Sequence, residues 1–171
     1  MNLRRFISPE GIRLELRTQS EPEGEVPADF EPDSPQNLNR VRESVFGEIT
    51  ELFELSGRVS NTTRLHRELD NREKRTSSAV GQGVVLPHLR TLQVKTFTMV
   101  FGRSRKGLPF ATPDDEPARL FFGLAAPPYN DRTYLKVYRT LAKLILDPVH
   151  FEELVNAEEP SEILRTLEQV C

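Results

Sequence analysis

The chain has 171 residues, 37% of them hydrophobic and 29% charged, which suits one globular domain with a sizeable core. Its 23 basic and 26 acidic residues give a net charge of −3, which argues against a nucleic-acid binder or a polybasic membrane contact. A single cysteine, and no apolar run of signal-peptide or membrane-span length, predict a soluble protein of the reducing cytoplasm.

The first half of the chain predicts an irregular segment and then two helices. Residues 20–36 contain four prolines, six acidic residues and no basic ones, so we expect a mobile loop there. Apolar residues then recur at helical spacing up to Gly57, which is a plausible C-terminal stop. They are Leu38, Val41, Val45, Ile49 and Leu52. Leu65 and Leu69 predict a second, shorter helix.

Three short apolar stretches follow, and they have the length and composition of strands. They are residues 84–86, 97–101 and 120–126. The last third is helical, with a stripe made of Leu135, Tyr138, Leu141, Ala142 and Ile145. Asp147 and Pro148 can start another helix, and a final one is predicted from about Ser161 toward Val170. Helices that flank strands predict a layered α/β domain rather than a bundle or a barrel.

Pro87 and His88 follow the first of these predicted strands, so His88 is expected at a strand end. A neutral imidazole has a nucleophilic nitrogen near pH 7, and phosphohistidine is a reactive donor, so this residue suits phosphate relay without a metal or cofactor. Gly81 and Gly83 let backbone amides approach an anion closely. The alternative is a structural histidine that is hydrogen-bonded at a strand end.

Three short motifs lead up to this histidine. Arg72 and Glu73, then Ser77 and Ser78, then GQGVVLPHLR follow one another along the chain. Their offsets match the pattern RE, ST, GxGIAIPH, which resembles the fructose/mannitol-type EIIA family of the bacterial sugar phosphotransferase system. FISPEGIRLEL upstream and GLPFATPDDEPARLFFGLAAP downstream are also similar to segments of that family. The acidic stretch at about residues 20–36 looks like an insertion.

The resemblance implies that His88 accepts phosphate from a small histidine phosphocarrier protein. The phosphate then passes to a sugar-permease domain or acts as a signal through a regulatory protein. Arg72 occupies the position of the family arginine near the histidine, where a guanidinium can stabilise a phosphoryl group. Ser77, Ser78 and Gly83 are further candidate phosphate contacts.

The resemblance also implies one EIIA-like domain over residues 1–171, with a mixed β-sheet flanked by helices. The sequence contains no permease-type membrane segment and no second phosphotransfer module. This favours a free-standing protein of the nitrogen-regulatory EIIA type.

The chain departs from the family at a second histidine, which many members place near the start of the helix after the alanine-proline strand. Here NDRTYLK puts Tyr134 at that position, and a tyrosine carries no positive charge near neutral pH. A second hypothesis is therefore a regulatory binding protein that keeps the EIIA fold but transfers phosphate poorly or not at all. A third, an unrelated fold with a chance Pro-His turn, predicts that Arg72 and Tyr134 lie far from His88.

The remaining ionisable candidates are assigned structural roles. Asp114 and Asp115 have the sequence of a turn, and a carboxylate would repel phosphate. His66 and His150 lie on predicted helices among charged neighbours, where exposed or locally bonded side chains are usual.

Overall fold

A six-stranded mixed β-sheet is the central layer of the computed structural model, which describes residues 1–169. The strands are β1 Ile12–Arg13, β2 Ala79–Gly81, β3 Val84–Val85, β4 His88–Arg90, β5 Thr98–Leu108 and β6 Ala118–Ala126. Their order is β1-β5-β6-β3-β2, and β4 pairs with β6 further along than β3 does. β5 and β6 are antiparallel, β1 is parallel to β5, and β3 and β4 are parallel to β6.

Within residues 1–169, five α-helices cover the two faces of this sheet. They are α1 Pro35–Leu55, α2 Thr62–Arg75, α3 Asp131–Leu146, α4 Pro148–Asn156 and α5 Pro160–Gln169. Side chains alternate between the faces of β6, so that Leu120, Phe122 and Leu124 join a core with α3, α4 and α5. Phe121 and Ala125 point the other way, into a second core with α1 and α2. The predicted α/β class, a mixed sheet flanked by helices, is confirmed.

Gly123 allows α1 to approach the middle of β6 closely. A Cβ atom at this position would lie 2.7 Å from Val100 Cγ2 and 3.0 Å from Ile49 Cγ2. Neither distance is tolerated without movement of the sheet or the helix, so a residue without a side chain is needed here.

The predicted helices are confirmed, and their ends follow ordinary capping rules. The Ser34 hydroxyl accepts from the N–H of Asn37, and Pro35 occupies the first turn of α1. The helix therefore begins inside the segment that was predicted to be a loop up to residue 36. Gly57, at φ +71°, follows the end of α1 as expected. Val170, the predicted end of the last helix, lies outside the described residues.

The acidic segment forms a loop whose two ends lie close to the start of α1. Residues 20–34 contain no helix or strand, in agreement with the prediction. The side-chain amide of Asn37 donates to the carbonyl oxygen of Ser20 at 2.9 Å and to that of Pro32 at 2.7 Å. These two bonds join the ends of the loop.

Across residues 1–169, no helix combines the length and the apolar character that crossing a membrane requires. The same part of the chain holds no group of three or more histidine, cysteine, aspartate or glutamate side chains that could hold a metal ion.

Candidate active site

His88 opens strand β4, next to the end of α2 and the start of α3. The sequence predicted it at the end of the strand that starts at Val84, but β3 ends at Val85 and a new strand begins at His88. Pro87 explains the break, because it has no N–H to continue a ladder of hydrogen bonds. Its carbonyl instead accepts from the N–H of Leu124 at 2.8 Å, which keeps the chain beside β6.

The two ring nitrogens of His88 have different partners, and these partners determine the tautomer. Nδ1 lies 2.6 Å from the carbonyl oxygen of Leu86, which can only accept, so Nδ1 carries the proton and donates. Nε2 lies 2.9 Å from Nη2 of Arg72, a guanidinium that can only donate, so Nε2 holds the lone pair. The neutral ring is thus arranged with Nε2 as its nucleophilic atom.

The surroundings of His88 also favour the neutral ring. Burial lowers the pKa of His88 because it penalises the charged form, and the positive charge of Arg72 lowers it further. The hydrogen bond to Leu86 acts in the opposite direction, but the net pKa lies below the ordinary value of 6.5. At pH 7 the imidazole is therefore neutral and able to act as a nucleophile.

Arg72 reaches the histidine from the last turn of α2, sixteen residues earlier in the chain. The sequence predicted an arginine near His88, and the structure brings the two together. In this arrangement the guanidinium of Arg72 covers Nε2. A phosphoryl group that approaches Nε2 offers oxygen acceptors to the same guanidinium, so Arg72 can move from the nitrogen to those oxygens.

A cleft of about 700 Å³ opens over His88. Its lining carries three arginines, namely Arg72, Arg75 and Arg90, and one carboxylate, that of Glu68. The rest of the lining consists of Asn71, His88, Leu89, Tyr134, Leu135 and Tyr138. In a protein with a net negative charge, this excess of positive charge suits a phosphoryl group or another anion.

Two tyrosines from α3 form the opposite wall. The ring centroid of Tyr134 lies 6.0 Å from that of His88, and the centroid of Tyr138 lies 5.6 Å away. Burial raises the pKa of Tyr134 above 10.0, against the lowering effect of the charges of Arg72 and Arg90. Its hydroxyl is therefore protonated at pH 7 and can donate a hydrogen bond.

One tyrosine and two arginines of this cleft were not predicted as site residues from the sequence. Tyr138 was assigned to an apolar stripe, but it lies four residues after Tyr134 and so shares its face of α3. Arg75 was not considered, although it lies three residues after Arg72 on α2. Arg90 was also not considered, although strand geometry places it on the same side as His88. Helix and strand periodicity around the predicted site would have found all three.

Ser77 and Ser78 are not among the residues that line the cleft. The Ser77 hydroxyl accepts from the N–H of Ala79, and this serine lines a separate hollow with Phe110. The N–H of Ser78 donates to the Glu73 carboxylate, and its carbonyl accepts from the N–H of Leu86 at 2.9 Å. Ser78 thus supports the segment that holds His88, and we leave both serines out of the proposed site.

The glycine turn before β3 does not line the cleft either, and a carboxylate of the same chain is already bound to it. Gly83 adopts φ +78° there, and its carbonyl accepts from the backbone of β6. The N–H of Gln82 donates at 2.7 Å to the carboxylate of Asp114, and this hydrogen bond lowers the pKa of Asp114. Asp114 therefore occupies the position where the turn was expected to bind an anion, which supports the structural role predicted for Asp114. Gly83 is not included in the proposed site.

The other two histidines have local partners. Nδ1 of His66 lies 2.8 Å from the Thr50 hydroxyl, and Nδ1 of His150 lies 3.1 Å from a carboxylate oxygen of Asp147. Neither histidine lines the cleft over His88, so both match the structural role predicted for them.

The chain is similar in sequence to known proteins. The family model for the phosphoenolpyruvate-dependent sugar phosphotransferase system, EIIA 2, matches residues 36–170. The fructose-specific EIIABC component of the phosphotransferase system of Bacillus subtilis is 27% identical over 131 residues. That alignment covers 77% of this chain but 21% of the Bacillus protein, so the chain spans about a fifth of the length of this relative.

Solved structures extend the similarity to nearly the whole chain. Nitrogen regulatory protein IIA-Ntr from Neisseria meningitidis superposes with a TM-score of 0.74 at 25% identity, covering 98% of this chain and 99% of that one. The complex of mannitol enzyme IIA with phosphorylated mannitol enzyme IIB from Escherichia coli contains a chain with the same fold, with a TM-score of 0.68 and 21% identity. That match covers 94% of this chain and 95% of the other. The chain therefore belongs to the EIIA 2 family of the phosphoenolpyruvate-dependent sugar phosphotransferase system.

Proposed function

We propose that this protein is a phosphorelay protein that accepts a phosphoryl group on Nε2 of His88 from a histidine phosphocarrier protein. The observation that carries this proposal is the pair of hydrogen bonds on the imidazole. Leu86 keeps the proton on Nδ1, and Arg72 marks Nε2 as the atom with the lone pair. The lowered pKa of His88 keeps the ring neutral at the pH of a cell.

The transfer step follows from this arrangement. The lone pair of Nε2 forms the new bond to phosphorus while the bond from phosphorus to the donor nitrogen breaks, and its electron pair returns to the donor imidazole. The ring of His88 then carries the positive charge, which the carbonyl of Leu86 stabilises through the Nδ1 proton. Arg72 moves its hydrogen bond from Nε2 to the phosphoryl oxygens and stabilises their charge.

The acceptor of the phosphoryl group belongs to one of two kinds. The mannitol relative was solved together with phosphorylated enzyme IIB, which supports a sugar-permease domain as acceptor. The full-length similarity to a nitrogen regulatory protein supports a protein whose activity depends on the phosphorylation of this chain. We favour the nitrogen-regulatory type, because that structure has the higher TM-score and identity of the two, 0.74 and 25% against 0.68 and 21%.

Reconstitution of the relay tests this function. The purified protein is incubated with phosphoenolpyruvate, the general phosphotransferase enzyme and its histidine carrier, and acid-labile phosphate is measured. We expect labelling of the wild type and of His66→Ala, the matched control, and no labelling of His88→Ala. A label of unchanged size on His88→Ala would remove this residue from the mechanism.

A regulatory binding protein without efficient transfer is the second candidate. Tyr134 favours it, because the side chain at this position of the cleft bears no charge. This candidate predicts that the folded wild type stays unlabelled in the same reconstitution while it still binds a phosphotransferase protein with measurable affinity. Stoichiometric labelling of His88 would exclude it.

A further inference from the structure

The cleft holds a second cation that is positioned as specifically as Arg72. The guanidinium carbon of Arg90 lies 4.9 Å from the centroid of the Tyr134 ring, within the range of a cation–π contact. Arg90 also forms an ion pair with Asp131 in the first turn of α3. These two contacts hold the guanidinium of Arg90 against α3, whose tyrosines form the wall opposite His88.

Strand geometry explains why Arg90 and His88 share this cleft. Both belong to β4, two residues apart, and alternate side chains of a strand point to the same side. Leu89, between them, is 5% exposed and belongs to the core under α1 and α2. Tyr134 contacts both residues, since its ring lies 6.0 Å from the His88 ring and carries the Arg90 guanidinium.

A phosphoryl group on Nε2 has more oxygen atoms than Arg72 alone can bind. It presents three oxygens that accept hydrogen bonds, and the fork of one guanidinium pairs with two of them. Arg75 also lines the cleft, but within residues 1–169 it has no ion pair or ring contact to fix its position. Arg90 is fixed, and its planar fork of five donors can keep Asp131 on one edge while the other edge turns to phosphate.

We propose that Arg90, presented on the ring of Tyr134, is the second phosphoryl-binding cation of the His88 site and is held by Asp131 until phosphate arrives. This inference rests on the proposed function. The uncharged Tyr134 acts as a platform for the charge of Arg90, and it does not have to carry a charge itself. Asp131 competes with the phosphoryl group for Arg90, so the two substitutions Arg90→Gln and Asp131→Asn act in opposite directions.

The experiment measures the equilibrium of phosphate between the histidine phosphocarrier and this chain, using the full chain and its variants. Arg90→Gln is expected to lower the equilibrium constant about five- to tenfold, a modest effect because this arginine is partly exposed. Arg90→Lys, which keeps the charge but loses the fork, should give an intermediate value. Arg139→Gln on α3 is the matched control, since it removes an arginine that does not line the cleft.

Asp131→Asn separates phosphate binding from a merely structural ion pair. It should raise the equilibrium constant about twofold, because Arg90 no longer has a competing carboxylate. If the ion pair served only to hold β4 against α3, both substitutions would lower labelling and the melting temperature together. That result would overturn the proposal, and so would an Arg90→Gln variant that matches Arg139→Gln.

The role of His88 as phosphate acceptor and the role of Arg90 as second cation are tested separately. A wild type that is labelled normally, with Arg90→Gln indistinguishable from the control, removes Arg90 from the site and leaves His88 as the phosphate acceptor. A wild type that accepts no phosphate from an active carrier removes both. Thermal melting of each variant, with Arg90→Lys as the conservative replacement, shows that lowered labelling does not come from unfolding.

Discussion

Replacing Arg72 with glutamine is the perturbation that separates the chemistry of the cleft from its fold. The substitution removes the guanidinium that donates to Nε2 of His88 at 2.9 Å. It leaves the carbonyl of Leu86 on Nδ1, so the tautomer and the orientation of the ring are retained. The last turn of α2 loses one favourable charge, which costs about 0.3 to 1 kcal/mol of stability and does not unfold the domain.

The expected loss of transfer follows from the type of bond that is removed. A hydrogen bond from a charged donor contributes about 1.5 to 3 kcal/mol, which corresponds to a rate of phosphate transfer that is roughly 10- to 150-fold lower. The pKa of His88 should also change. Burial still lowers it, but the lowering effect of the Arg72 charge is gone, so the pKa rises and protonation of Nε2 begins at a higher pH.

Two measurements check this prediction. The time course of phosphate transfer from the carrier gives the rate, and the ring proton signals of His88 followed by NMR against pH give its pKa. Arg67→Gln is the matched control, because Arg67 is an exposed arginine of the same helix. An Arg72→Gln variant that transferred phosphate as fast as Arg67→Gln, or a His88 pKa that did not rise, would refute the role assigned to Arg72.

Three further predictions concern packing, pH and the tyrosine. Gly123→Ala should lower the free energy of unfolding by about 1 to 3 kcal/mol, because its Cβ would lie 2.7 Å from Val100 Cγ2. Gly47→Ala, in the open middle of α1, should raise the free energy of unfolding by about 0.5 to 1 kcal/mol. Urea unfolding of both variants measures the two changes. Burial of Glu48 opposes ionisation, but hydrogen bonds to the carboxylate lower its pKa below 4.5. The ionised carboxylate therefore stabilises the fold above that pH, and this stabilisation is lost as the pH falls through the lowered pKa. The free energy of unfolding of Glu48→Gln should therefore differ from that of the wild type by about 1 to 3 kcal/mol at pH 7 and by less in acid. An equal difference at both pH values would contradict the lowered pKa of Glu48. Tyr134→Phe should slow phosphate transfer about two- to tenfold in the same time course, and an unchanged rate would exclude a phosphate contact of the hydroxyl.

Much of the architecture could be predicted because the signals were local. Ser34 and Pro35 are an N-cap and first-turn pair, and their pattern indicates that α1 includes the last two residues of the predicted loop. The apolar run of residues 120–126 lacks alternation because both faces of β6 are covered, which is visible in the sequence as a buried strand. The order of the strands has no such local signal and required coordinates.

The two central residues of the candidate site could be predicted from the sequence, whereas the contacts around them could not. The spacing of Arg72 and His88 matched a family pattern, and the structure joins them directly. The occupation of the glycine turn by Asp114 could not be predicted, because the carboxylate comes from a position 32 residues later in the chain. The contact between Arg90 and Tyr134 was missed for the same reason, since it depends on how α3 returns to β4.

The position of the phosphate on the imidazole is the most direct test of this account. Protein labelled with ¹⁵N-histidine and phosphorylated through the carrier would be studied by NMR, in which coupling to phosphorus identifies the modified nitrogen. We predict that the phosphoryl group is on Nε2 of His88, with the proton still on Nδ1. Phosphate on Nδ1, or on another residue, would contradict it.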